Sequence, residues 1–198
     1  RNNIYAVFIV GIYLVLASCC MVYMLSRVLK EKYEKEKLIY TSNTDELTKC
    51  FNRHAYETAI HSLDLHKEWI YISMDINGLK HVNDSLGHAA GDELICAAAD
   101  CMKSCFQNYG NVYRIGGDEF VIIITEKTDV LPNLIANFDQ KSAKWRGELV
   151  DSMSVSYGYV FSSEKEWNGI YDIAKAADAR MYKSKSCYYR KSGIDRRR

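Results

Sequence analysis

Hydrophobic and polar residues alternate in three different ways along this chain. Residues 4–25, IYAVFIVGIYLVLASCCMVYML, carry no charge and show no polar side. A helix of that length spans roughly 30 Å, the thickness of a bilayer's hydrocarbon core. A signal peptide would have a shorter apolar stretch and a small-residue cleavage site. A transmembrane helix is therefore predicted over 4–25, with residues 1–3 as a truncated upstream flank. Residues 26–44 are charged and helical in pattern. Leu29, Tyr33, Glu36 and Tyr40 follow the spacing of a coiled-coil seam, but Glu36 spoils it. Both a solvated linker and a dimerising coiled coil fit this stretch. From Asp45 onward the pattern is globular.

In the globular part, Tyr56, Ile60 and Leu63 mark a helix within 53–66, and WIYISM (69–74) reads as a buried strand. Leu94, Ala98, Cys101 and Cys105 share one side of a helix over 91–106. NVYRIGGDEFVIIIT (111–125) reads as strand, glycine turn, strand. Leu131, Leu134, Ile135 and Phe138 predict a helix over 131–145, and MSVSYGYVF (153–161) a strand. Ile170, Ile173, Ala177 and Met181 predict a closing helix over 170–186. The core order is helix, β-α-β-β-α-β, helix. It predicts an α+β fold of ferredoxin-like or polymerase-palm type, an antiparallel sheet with helices packed on one face.

Composition narrows the function classes. With 26 Lys and Arg against 25 Asp and Glu, the net charge of +1 argues against nucleic acid as a partner. Arg27, Lys30, Lys32, Lys35 and Lys37 follow the apolar stretch and predict that the chain beyond it faces the cytoplasm. The seven cysteines form no C-x-x-C pair and no zinc spacing, so they read as buried free thiols in a reducing compartment. The first residue is arginine, which reads as a fragment or processed chain with an upstream sensor region outside it.

Two stretches break the core pattern. MDINGLKHVNDSLGHAAGDELI (74–95) runs from a strand into Asp75, Asn77, Lys80, Asn83, Asp84 and Asp92. RIGGDEF (114–120) sets Asp118 and Glu119 side by side on a hairpin. Positive φ in a tight turn would explain Gly116 and Gly117 but not the repelling acids. A divalent cation would remove that repulsion, and Mg²⁺ takes one or two carboxylates with phosphate oxygens and water. Asp75 would add a ligand if its strand pairs with the hairpin. The bare glycine backbone would admit a phosphate chain, which Lys80 could hold as a point charge.

These stretches, with DELTKCFNR (45–53), SVSYG (154–158) and ADARMYKSK (177–185), resemble in order the sequence blocks of the GGDEF family, the diguanylate cyclases. The resemblance covers residues 45–190 and leaves 191–198 as a basic tail. It implies a GGDEF or palm-like fold and a homodimer that joins two GTP into cyclic di-GMP, releasing two pyrophosphates, with Mg²⁺ or Mn²⁺. By that resemblance Asp75, Asp118, Glu119 and the Ile76 backbone carbonyl are the metal ligands, with Asp118 and Glu119 catalytic. Asp118, or a water at the cation, would help take the proton of the attacking 3′-hydroxyl. Lys80, Lys185, Gly116 and Gly117 would meet phosphate. Asn83 and Asp92 would read guanine, since a carboxylate accepts from its N1–H and amino group. His88 is read as a structural hydrogen-bonder beside the substrate rather than a base. Arg114 is expected to pair with Asp45. The expected protein is anchored in the cell membrane by a single span, with a cytoplasmic catalytic domain. The alternative is a catalytically silent GTP-binding module, which usually loses the signature acids.

The chain departs from the family pattern in four places. Asn77-Gly78-Leu79 replaces the usual D-x-F. Lys49-Cys50 replaces Gly-Leu, read as a packing variation. Tyr189 occupies the position of a phosphate-side arginine. Gln107 and Gly110 stand where many relatives carry the R-x-x-D of an inhibitory product site, so that site is expected to be missing.

Overall fold

A computed structural model of the chain describes residues 2–192, with side chains from 11 to 190. The predicted tail lies outside these residues except for its first positions. The chain divides into two units, Arg1–Ser42 and Asn43–Arg198.

The first unit is a continuous helix, α1 (Asn2–Asn43). The predicted membrane segment and charged linker are thus one element with no break between them. Its apolar side chains, among them Leu14, Leu16, Val22 and Leu25, are exposed. Its most apolar 18-residue stretch has a mean hydropathy of 1.9. By length and composition it is the one described helix able to cross a membrane. Beyond the apolar stretch, Arg27–Glu31 (3.3 Å), Lys30–Glu34 (3.9 Å) and Lys32–Glu36 (3.9 Å) link successive turns. Such exposed i,i+4 pairs contribute about 0.2–0.5 kcal/mol each.

The second unit is built on a four-stranded antiparallel sheet in the order β2-β3-β1-β4. Its strands are β1 (Ile70–Ile76), β2 (Gly110–Arg114), β3 (Glu119–Ile124) and β4 (Val155–Phe161). Its helices are α2 (Arg53–His61), α3 (Leu79–Leu86), α4 (His88–Phe106), α5 (Leu131–Lys144) and α6 (Ile170–Ser192). The predicted order holds, with one added helix: α3 lies inside the polar stretch that reads as loop.

Helices cover both faces of the sheet, not one, because β1 and β3 are apolar on both sides. Ile70, Ile72, Met74 and Ile76 face the core shared with Leu94, Ala98, Met102 and Phe106 of α4 and Leu134 and Phe138 of α5. Trp69, Tyr71, Val121, Ile123 and Val160 pack in a second core with Ile60 of α2 and Ile173 and Ala177 of α6. Buried on both faces, these strands read as continuous apolar runs, which hides the second layer of helices from periodicity. Gly158 lets α6 lie close on β4, since a Cβ there would stand 2.2 Å from the Met181 nitrogen.

Local chemistry sets the ends of the elements. The Asn52 side chain accepts the Ala55 N–H (3.0 Å) and starts α2. That helix ends at His61, earlier than its apolar spacing predicts. Gly78, at φ 74°, opens α3, a backbone turn that favours glycine. Gly87, at φ 88°, joins α3 to α4.

Candidate active site

The side chains of β1 alternate between the two cores, and this puts Tyr71, Ser73 and Asp75 on the α6 side. Along that side the contacts turn polar toward the strand's end. Ser73 Oγ donates to Asp178 Oδ1 (2.7 Å), and Lys185 Nζ donates to Asp75 Oδ1 (2.5 Å). Asp75 pairs in register with Glu119 of β3. The neighbouring Ile76 N–H donates to the Asp118 carbonyl (3.0 Å). Asp75 and Glu119 are therefore a pair without ladder bonds of their own, the kind whose side chains stand closer. Lys185 Nζ also lies 3.9 Å from Asp118 Oδ2. Asp75 and Asp118 thus share one ammonium group at one end of the sheet, with Glu119 opposite Asp75 across the strands. Burial pushes the Asp75 carboxyl up to about 6; the Lys185 hydrogen bond opposes this and the charges of Asp118 and Glu119 add to it.

The hairpin that carries Asp118 and Glu119 is held by Arg114. Its guanidinium donates to the carbonyls of Gly116 (3.2 Å) and Gly117 (2.9 Å) and to Asp45 Oδ1 (3.0 Å). The expected Arg114–Asp45 pair is present. Burial works against the charge of Asp45, but bonds from Thr48 and from Arg114 outweigh it and hold the carboxyl below its usual value. Neither Gly116 nor Gly117 has positive φ, so the turn does not need glycine for the predicted reason. A Cβ on Gly116 would stand 2.8 Å from Glu119 Oε2, whereas one on Gly117 would meet nothing within 4 Å. Gly116 makes room for the Glu119 carboxylate, and Gly117 leaves backbone open to a ligand.

The other predicted residues lie on α3 and α4. Lys80, the second residue of α3, is exposed and makes no ion pair among the described residues. Asn83 of α3 packs on Gly91, the residue before Asp92 in α4, where a Cβ would stand 1.9 Å from Asn83 Oδ1. Gly91 lies within α4, and its bare face admits the Asn83 amide. His88 is exposed at the first residue of α4, and the structural hydrogen bond expected of it is not made among the described residues. Lys185, expected at phosphate, is paired with Asp75.

Among the described residues, no three His, Cys, Asp or Glu side chains form a ready-made metal cage. The carboxylates of Asp75 and Asp118 are hard oxygen donors of the kind Mg²⁺ takes together with water and phosphate oxygens. The Ile76 carbonyl fits as a further ligand. An extended residue points its N–H and C=O to the same side, so this carbonyl faces the hairpin. The return bond, from the Asp118 N–H, is not made among the described residues.

The profile described as "Diguanylate cyclase, GGDEF domain" matches residues 42–188. The chain belongs to the GGDEF diguanylate cyclase family. It is 32% identical over 186 residues to the signaling protein YkoW of Bacillus subtilis, covering 85% of this chain and 23% of that protein. It is 27% identical over 165 residues to the diguanylate cyclase DgcM of Escherichia coli, covering 80% of this chain and 40% of that protein. The chain thus spans well under half the length of these curated relatives. Its fold matches the coiled coil and GGDEF domain of DgcB from Caulobacter crescentus, solved in complex with c-di-GMP. That match has a TM-score of 0.70 and 22% identity, and covers 85% of this chain and 94% of that one.

The departures from the GGDEF pattern have physical explanations. Lys49 adopts φ 58°, so the usual glycine is replaced at a left-handed position at a cost in backbone strain, while Cys50 packs in the core where leucine is usual. Asn77 is buried and bonded to Ser154, in the segment leading into β4, and to Ser156 of β4. Leu79 enters the core. Tyr189 accepts the Gly78 N–H at 3.4 Å, so α6 reaches the turn between β1 and α3. At Gly110 a Cβ would stand 2.0 Å from the Ile123 carbonyl oxygen, so this backbone has no room for the aspartate of an R-x-x-D site. None of the seven cysteines forms a disulfide among the described residues; Cys50 and Cys105 are buried, but Cys19 and Cys20 are exposed on α1. Burial, with Cys105 adding, pushes the Cys101 thiol up to about 12, which keeps it protonated and unreactive.

Proposed function

We propose that this chain is a diguanylate cyclase that condenses two GTP into cyclic di-GMP as a homodimer. The observation that carries the reading is the gathering of Asp75, Asp118 and Glu119 beside the open backbone of Gly117. Asp75, Asp118 and the Ile76 carbonyl, with Glu119 beside them, would hold Mg²⁺ or Mn²⁺. A cation bound there supplies positive charge at the α-phosphate and at the departing pyrophosphate.

The chain's own groups do the rest. Lys80 and Lys185 offset phosphate charge, which requires Lys185 to exchange Asp75 for the substrate. Gly117 lets the phosphate chain approach the backbone. Asn83 and Asp92 accept and donate at the guanine edge, so adenine, which lacks the matching donors, leaves Asp92 unpaired. Asp118, or a water beside it, takes the proton of the attacking 3′-hydroxyl. Each domain presents one GTP to the other; two phosphodiester bonds form, two α–β anhydride bonds break and two pyrophosphates leave.

The span of α1 anchors the protein in the cell membrane, with the catalytic domain on the cytoplasmic side, where the basic residues after the span point. Residues 26–44 serve either as a solvated linker or as the seam that brings two copies together. Product does not inhibit through Gln107 and Gly110; tight product binding abolished by changing either would contradict this.

Incubation of the full chain in detergent micelles with Mg²⁺ and GTP, or with ATP, tests the reading. Cyclic di-GMP and pyrophosphate from GTP alone are expected, and Asp118→Ala should abolish both. GTP binding without product from a confirmed dimer would leave the silent module instead.

A further inference from the structure

Asn77 follows the strand that carries Asp75, and the catalytic reading gives it no task. Yet it is among the most constrained polar residues in the domain, only 5% exposed. Its N–H donates to the Ser154 carbonyl (2.9 Å). Its side-chain amide donates to Ser154 Oγ (3.0 Å), and its side-chain carbonyl accepts from Ser156 Oγ (2.9 Å). These bonds all run to β4 or to the segment leading into it.

The peptide bond explains what they accomplish. In a planar trans peptide the C=O of one residue and the N–H of the next point in opposite directions. The Asn77 N–H and the Ile76 C=O share one such plane. With the N–H held on the Ser154 side, the Ile76 carbonyl is turned to the opposite side. That side is the hairpin, where the Ile76 N–H already meets the Asp118 carbonyl. The plane cannot rotate without breaking the Ser154 bond, and the two side-chain bonds keep Asn77 from following such a rotation.

Charge adds a second consequence. An aspartate at this position would put a fourth carboxylate near Asp75, Asp118 and Glu119. Asparagine keeps the acceptor that Ser156 uses and adds a donor for Ser154 Oγ, at no charge.

We propose that Asn77 is a positioning residue of the cation centre. It acts through the Ile76–Asn77 peptide, aims the Ile76 carbonyl at a divalent cation, and adds no negative charge. The inference rests on the reading of this centre as a cation and nucleotide site.

Thermal melting of the full chain in detergent micelles tests it, with Mg²⁺ titrated at a fixed concentration of a non-hydrolysable GTP analogue. Native protein should show a cation-dependent rise in melting temperature, and Asp118→Ala should lose it. Asn77→Ala should raise the Mg²⁺ concentration for half the rise by about tenfold, the usual cost of losing an outer-shell partner. Asn77→Asp should restore the native midpoint or lower it, since both serine hydroxyls can donate to a carboxylate. A merely structural asparagine would lower the cation-free melting temperature and leave the midpoint in place. Ser156→Ala removes one bond and should move the midpoint in the same direction by less; where Asn77→Ala does not fold, this variant decides. Midpoints within about twofold of native, in a protein whose native form shows the rise, overturn the inference and spare the site. Absence of any cation-dependent rise in native protein overturns both.

Discussion

Replacing Arg114 would separate the site's scaffold from its chemistry. Its guanidinium is 13% exposed and Asp45 is 24% exposed, so their 3.0 Å ion pair is largely sheltered. The same group ties the carbonyls of Gly116 and Gly117, the two residues before Asp118. Arg114→Ala removes the ion pair and both ties. A hydrogen bond to a charged group contributes about 1.5–3 kcal/mol. Asp45 keeps its bonds from Thr48, and water can reach the exposed Gly117 carbonyl, so the sum is discounted. The expected loss is about 2–4 kcal/mol, or a fall of about 5–15 °C in melting temperature for a domain of this size. Activity should fall further than stability explains, by about 10²-fold at a temperature where the variant is folded, because slack in the hairpin misplaces Asp118. Arg114→Lys keeps the charge but cannot reach Asp45 and both carbonyls from one ammonium, so it should recover less than half of either loss. Calorimetric melting and initial rates of pyrophosphate release measure both. Native melting in Arg114→Ala, or full recovery by lysine, would refute the fork as the element that holds the hairpin.

Other perturbations follow from single contacts. Lys49→Gly should stabilise by about 0.5–1 kcal/mol, the left-handed cost to a side chain less the extra chain entropy of glycine, measured by urea unfolding. Gly110→Ala should destabilise by about 1–3 kcal/mol in the same assay, because its Cβ would meet the backbone of Ile123 and Ile124. Asp45 and Glu164 both have lowered carboxyl values. For Asp45, bonds from Thr48 and Arg114 outweigh burial; for Glu164, the Arg180 bonds lead. Their stabilisation should be complete above the usual values of 3.8 and 4.5 and lost as pH falls through the lowered ones. Glu164→Gln should flatten the acid limb of a stability–pH curve, and an unchanged limb would count against the Glu164–Arg180 bridge. Asp92→Ser should mainly blur the choice of base, read as the GTP-to-ATP ratio of kcat/KM.

Much of this protein was legible without coordinates. An uncharged run long enough to span a bilayer, apolar strands ending in acid and glycine, and helical spacings from Leu94 to Met181 are local properties, and local physics sets them. The acids of the site were legible because carboxylates on an apolar strand end have no structural reason to be there. Asn83 and Asp92 were legible only by family resemblance; the packing of Asn83 on the bare face of Gly91 is a contact between two helices.

Tertiary structure alone decided the rest. Helix α3 is hidden from periodicity because Leu79 and Val82 anchor it in the core and most of its other residues are polar and exposed. Helices on both faces follow from strands apolar on both sides, a pattern that does not say how many layers cover it. The pairing of Asp75 with Glu119, the reach of Lys185 and Tyr189 from the far end of α6, and the bonds of Asn77 to Ser154 and Ser156 join residues distant in sequence. Such contacts depend on register and on the direction of peptide planes, and no single stretch of sequence encodes either.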